Sequence, residues 1–197
     1  MNLVLASASS SRARILRGAA VPFAVVPADI DEEAIMQELL SRGDEPAAIA
    51  AELADAKALH VSRQHPGALV LGADQILSFE GELVSKCPDM AAARKLLQRL
   101  RGTTHMLISA LALALDGKIV WSHVETAKLH MRNFSDTFLD VYLSTEGEGL
   151  LAGVGCYRLE AMGAQLFERI EGDYFCILGL PLQPLLAELR RKGVIAQ

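Results

Sequence analysis

Leu69-Val70-Leu71-Gly72-Ala73-Asp74-Gln75-Ile76-Leu77 reads as an apolar strand interrupted by one carboxylate. An unpaired carboxylate is costly to bury, and the Gly72-Ala73 lead-in lets the backbone approach a ligand. On this reading Asp74 is a functional acid. On the other, the strand ends there and Asp74 caps the next turn. The nine residues alone leave both standing, so the rest of the chain has to decide.

Outward from this strand, short strands and helices alternate. Residues 2–6 read as strand and 11–18 as helix. A second strand is expected over 21–28, with Pro22 at its start. Residues 32–41 read as helix. Pro46 opens a longer helix over 47–61, at the position proline tolerates best. After the central strand, taken as 68–77, Phe79-Glu80-Gly81-Glu82 reads as a turn and 89–100 as helix. Residues 104–115 and 118–131 flank Asp116-Gly117, a strong hairpin signal. Residues 135–144 are helical, glycines punctuate 147–179, and a last helix covers 183–192. The middle of the chain is largely antiparallel, so a simple parallel dinucleotide-binding fold does not fit.

The 197 residues predict one domain with a sizeable core. Net charge is −5, and no basic patch dominates, which argues against a nucleic-acid duplex as partner. Cys87, Cys156 and Cys176 are odd in number and far apart, so no disulfide framework or zinc spacing is expected, and a reducing, cytoplasmic setting fits. No leader peptide or membrane span is expected. His60, His65, His105, His123 and His130 show no metal-ligand spacing and read as structural or surface residues.

The remaining polar residues suit a polyphosphate. Leu5-Ala6-Ser7-Ala8-Ser9-Ser10-Ser11-Arg12 joins a strand to a helix. Small hydroxylated residues there let backbone N–H groups face a phosphate at the helix N-terminus. Arg12 and Arg14 can add charge-assisted contacts. The alternative is a serine N-cap beside exposed arginines. Asp29-Ile30-Asp31-Glu32-Glu33 suits Mg²⁺, which takes oxygen ligands from carboxylates and phosphates; it equally suits an acidic first helical turn. Lys57 stands among Ala54, Ala56 and Ala58, a closely packed helix face, and Lys86 follows the turn at Gly81. For both lysines a solvated side chain is the alternative. No Gly-x-x-x-x-Gly-Lys-Ser/Thr is present, which excludes a P-loop.

Taken in order, LASASSSR at 5–12, DIDE at 29–32, LADAKA at 53–58, GADQ at 72–75, Lys86, LRGTTH at 100–105 and GDYFCILGLPL at 172–182 resemble the Maf family over nearly the whole chain. Each motif is weak and the ordered set is specific. The resemblance implies an elongated mixed α/β fold, with a largely antiparallel sheet flanked by helices, similar to inosine triphosphate pyrophosphatases. It implies hydrolysis of a nucleoside triphosphate to the monophosphate and pyrophosphate, a house-cleaning role, a divalent metal (Mg²⁺ or Mn²⁺) and a homodimer.

By position, the resemblance makes Asp74 the proton acceptor. Arg12, Lys57 and Lys86 become substrate contacts and Glu32 a metal ligand, and Ser7 and Ser9 of the serine run are taken as substrate contacts beside them. Ser11, Gln75 and Glu160 fall where the family varies with substrate. The subfamily acting on thymidine and uridine triphosphates has Arg, Thr and Gln there; the 7-methyl-GTP subfamily has Trp, Gln and Glu. This chain agrees with the second at two of three positions. Cys87 replaces the family's proline, and Ala152-Gly153-Val154-Gly155 replaces an Asp-Lys-Ala-Gly segment near Tyr157. The expected chemistry is metal-assisted attack of water on the α-phosphorus, with Lys57 and Lys86 serving the triphosphate and not the fold. A dTTP/UTP-preferring enzyme and a catalytically silent nucleotide-binding regulator of cell division are the alternative readings.

Overall fold

A computed structural model describes residues 2–196. Its seven strands form one mixed sheet in the order β2-β1-β3-β5-β6-β7, with β4 paired to β3. The strands are β1 (Leu3–Leu5), β2 (Ala24–Val25), β3 (Leu69–Phe79), β4 (Glu82–Val84), β5 (Thr104–Leu115), β6 (Lys118–Met131) and β7 (Phe167–Glu171). The helices are α1 (Ser10–Gly18), α2 (Glu32–Ser41), α3 (Pro46–Ser62), α4 (Met90–Leu100), α5 (Asp136–Glu146), α6 (Tyr174–Ile177) and α7 (Leu182–Arg191). The chain forms two compact units. The first comprises the chain up to Gln75, Ile108–Glu125 and the chain from Tyr174 onward; the second comprises Ile76–Leu107 and Thr126–Asp173.

In the first unit β1 pairs in parallel with both β2 and β3. Strands buried on both faces read as continuous apolar runs, and Leu3, Val4, Leu5 and Leu69, Val70, Leu71 are all buried. Alternation then assigns the faces. Leu3, Leu5, Leu69, Leu71 and Ala73 pack with Ile15 and Leu16 of α1 and with Leu182, Leu185 and Leu189 of α7. Val4, Ala6 and Val70 pack with Val61 of α3. The Asp116-Gly117 hairpin forms as expected, with both residues at positive φ (49° and 73°) as a type I′ turn requires. Its Asp116 Oδ1 also accepts from the Gly67 N–H at 2.7 Å.

In the second unit β4 runs antiparallel to the end of β3, Leu77 opposite Val84. The turn between them has Glu80 and Gly81 at φ 53° and 83°. β7 runs antiparallel to β6, Leu129 opposite Ile170. Asp89 and Ser135 cap α4 and α5 by accepting from the N–H groups of Ala92 and Phe138. Among the described residues no helix is long and apolar enough to cross a membrane.

Three expectations need correction. The strand over 21–28 shrinks to Ala24–Val25, because Pro22 and Pro27 have no N–H to give a ladder. β3 continues through Phe79, so Asp74 sits inside a strand and not at its end. The glycine-punctuated stretch 147–179 holds two 3₁₀ turns, Gly147–Ala152 and Met162–Leu166, together with β7 and α6. Those elements are too short to carry a readable period.

Candidate active site

The centre of the site is an ion triplet in the first unit. Lys57 Nζ lies 2.7 Å from Asp74 Oδ1 and 2.7 Å from Glu32 Oε2. Lys57 is 7% exposed and Asp74 8%, so neither the solvated-lysine reading nor the turn-cap reading of Asp74 holds. Lys57 also bears on the fold, contrary to the expectation that it serves substrate alone. Glu32 forms the outer edge, its side chain 53% exposed. It opens α2 behind the N-cap Asp31, which accepts from the Ala34 N–H at 2.9 Å. The acidic-first-turn reading therefore holds for Glu32, which also pairs with Lys57.

Gly72 makes this pairing possible. A Cβ there would fall 2.1 Å from the Ala54 carbonyl oxygen and 2.7 Å from the Ala58 nitrogen. Helix α3 thus rests directly on the β3 backbone, with Ala54 and Ala58 buried beneath it. Gly72 and Asp74 are two residues apart and share that face of the strand. The room that Gly72 gives is taken by a helix and not by a ligand, which corrects the sequence reading.

Arg12 reaches the site from α1. Its Nε donates to the Gly179 carbonyl at 2.9 Å; Nη1 donates to the Ala73 carbonyl at 2.9 Å and to Ser7 Oγ at 3.1 Å. A guanidinium has five N–H groups, and those on Nη2 have no partner among the described residues. Burial pushes the Arg12 pKa below its ordinary value, while the charges of Asp74 and Glu32 pull it back up. Ser9 is the N-cap expected of a serine-rich helix start, accepting from the Arg12 N–H at 3.3 Å. Ser7 Oγ accepts from the Ser9 N–H at 3.2 Å. The exposed-arginine reading fails for Arg12 and fits Arg14.

Ser11 Oγ donates to the Leu178 carbonyl at 3.3 Å, and Gln75 Nε2 lies 3.0 Å from Ser109 Oγ. Ser109, one serine in an apolar strand, and the Ala73 and Gly179 carbonyls escape sequence reasoning, since the first stands in no motif and a backbone acceptor carries no residue signature. Gly179, at φ +87°, is the one hint. Lys86 and Glu160 belong to the second unit. Lys86 is exposed just after β4, and Glu160 lies 3.8 Å from Arg158 Nε. Within that unit the Tyr157 ring occupies the space a Gly155 side chain would need, and its hydroxyl lies 2.7 Å from His105 Nε2.

Ser7, Ser9, Arg12, Glu32, Lys57 and Asp74 therefore meet in one place: two cations facing two carboxylates at a helix start. The family model described as Maf-like protein matches residues 2–192. The chain belongs to the Maf-like family. Among its Maf-like relatives is a "nucleoside triphosphate pyrophosphatase" of Maricaulis maris, 51% identical over 98% of both chains. A "7-methyl-GTP pyrophosphatase" of Brucella abortus is 48% identical over 99% of this Maf-like chain and 98% of its own. Among solved structures, a HAM1 protein from Coxiella burnetii overlaps 68% of this chain and 74% of its own at a TM-score of 0.43 and 18% identity.

Proposed function

We propose that the chain hydrolyses a nucleoside triphosphate to the nucleoside monophosphate and pyrophosphate. The observation that carries this reading is the pairing of Lys57 with both Asp74 and Glu32, beside an Arg12 held by its Nε and Nη1 with Nη2 left to a ligand. The activities for which the relatives are named agree with it.

Oδ1 of Asp74 is taken by Lys57, and Oδ2 has no partner among the described residues. Oδ2 is the oxygen that would orient the attacking water and take its proton. Arg12 and Lys57 would offset charge on the phosphates, where phosphoryl transfer gains most. By resemblance alone, Lys86 is proposed as a phosphate contact. Glu32 and Asp74 offer hard carboxylate oxygens close together, a donor set that fits Mg²⁺ or Mn²⁺ sharing its shell with phosphates. Among the described residues no group of three His, Cys, Asp or Glu is arranged to hold a metal, so substrate oxygens would complete the shell. Such an ion, when bound, polarises phosphoryl oxygens.

For the base we propose a guanine-like purine, with 7-methyl-GTP first. Glu160 only accepts hydrogen bonds, and guanine offers two adjacent donors, N1–H and the 2-amino group. A cationic 7-methylguanine gains further from the negative charge. Ser11 supplies no aromatic stacking surface, which is worth about 1–3 kcal/mol per base, so the preference is expected to be modest. Pyrophosphate release measured over 7-methyl-GTP, GTP, UTP and dTTP tests the reading. Release from at least one of them is expected. Binding without release from any would make the chain a silent nucleotide-binding protein.

A further inference from the structure

Four successive carbonyls, Cys176 to Gly179, are each held by a side chain from elsewhere in the first unit. Ser109 Oγ donates to the Cys176 carbonyl at 2.8 Å. Gln75 Nε2 lies 3.0 Å from that carbonyl and 3.1 Å from the Ile177 carbonyl. Ser11 Oγ donates to the Leu178 carbonyl at 3.3 Å, and Arg12 Nε to the Gly179 carbonyl at 2.9 Å. The last carbonyls of a helix need such partners, and α6 is only four residues long. The carbonyl that fixes Arg12 thus belongs to a turn whose other carbonyls are pinned by Ser109, Gln75 and Ser11.

The chemistry of Gln75 points the same way. An amide nitrogen has two hydrogens, and Gln75 Nε2 already faces three acceptors: Ser109 Oγ and the two carbonyls. No donor is left for a nucleobase. Strand alternation also turns Gln75 to the face of β3 opposite Asp74 and Lys57. A Cβ on Gly179 would lie 3.5 Å from Gln75 Oε1 and 3.7 Å from Arg12 Nε. Gln75 and Arg12 therefore flank the same backbone atom.

We infer that Ser109, with Gln75 and Ser11, is a positioning residue for Arg12. Through the Cys176–Gly179 turn it sets where the guanidinium stands, and so governs grip on the triphosphate whatever the base. This rests on the reading of Arg12 as a phosphate contact. Ser109 is fully buried and small, so Ser109→Ala removes the hydroxyl with little change of volume. Gln75→Met is the second variant, close in volume and without the amide.

The probe is inorganic tripolyphosphate, which has no base, with binding followed by calorimetry. Each variant is expected to bind it about three- to tenfold more weakly, the equivalent of one lost hydrogen bond. KM for GTP and UTP should rise by a common factor, leaving their ranking unchanged. In an Arg12→Lys background Ser109→Ala should have no further effect, because its route to the phosphate is gone. Variants that bind tripolyphosphate as wild type does, while the GTP-to-UTP preference shifts, would overturn the inference and make Gln75 a reader of the base. Wild type that neither binds tripolyphosphate nor releases pyrophosphate would instead overturn the triphosphate reading beneath it.

Discussion

Replacing Lys57 by Met tests whether the ion triplet supports the fold as well as the chemistry. The aliphatic stem is kept and the ammonium lost, so Asp74, at 8% exposure, loses the cation in contact with it and retains only the more distant charge of Arg12. Breaking a buried pair from one side costs about 3–5 kcal/mol. The lower end applies, because Glu32 is half exposed and its share resembles a surface pair worth about 0–1 kcal/mol. About 3 kcal/mol at about 2–4 °C per kcal/mol lowers Tm by about 6–12 °C in a chain of this size. Asp74→Asn in the Lys57→Met background removes the stranded charge and should recover about 2 kcal/mol as coupling between the two positions. Thermal melts and urea titrations of wild type, both single variants and the double variant measure this. A Lys57→Met protein melting within about 2 °C of wild type, or strictly additive losses, would refute the account of a mutually dependent buried pair.

Asp74→Asn in a folded protein should lower kcat by about 10²–10⁴, the usual worth of a general base; near wild-type turnover would remove Asp74 from that role. Gly72→Ala forces a methyl onto the Ala54 carbonyl and should cost about 1–3 kcal/mol or more, with a fall in turnover per folded molecule as α3 lifts Lys57 from Asp74; an unchanged Tm would contradict the contact. Burial holds the His105 pKa down at about 4. Between that value and about 6.5 the unfolded chain binds a proton that the folded chain refuses. Stability should therefore fall as pH drops through this window, by at most about 1.4 kcal/mol per unit. His105→Gln should flatten that slope, and an identical slope in urea titrations would count against the assignment. Glu160→Gln should erode any preference for 7-methyl-GTP over UTP; kcat/KM for both nucleotides measures it, and an unchanged ranking would show that Glu160 does not read the base.

The parts of the fold that could be read ahead are those in which local chemistry and tertiary packing agree. The run Leu69–Leu71 is apolar because both faces of β3 are covered, and Asp116-Gly117 is a turn in any context. The strand at 21–28 misled because its apolar side chains obscured the two prolines that deny it a ladder. In the site, Asp74, Glu32 and Lys57 were each visible as residues. Their meeting was not, since it depends on α3 seating at Gly72, a tertiary contact that no local pattern encodes. The hold on Arg12 was hidden further, because its acceptors at Ala73 and Gly179 are main-chain oxygens.

The division into interleaved units bears on how the molecule is made. β1 leaves the ribosome long before α7, yet Leu3 and Leu5 share their cluster with Leu182, Leu185 and Leu189 of α7. Until those residues emerge, β1 has no complete apolar neighbourhood. Contacts this far apart in sequence carry a loop-closure cost before they return any burial. Folding of the first unit is thereby tied to the emergence of α7. A nascent chain stalled before Tyr174 should remain protease-sensitive over residues 2–75, while extension through α7 should protect that region in a single step.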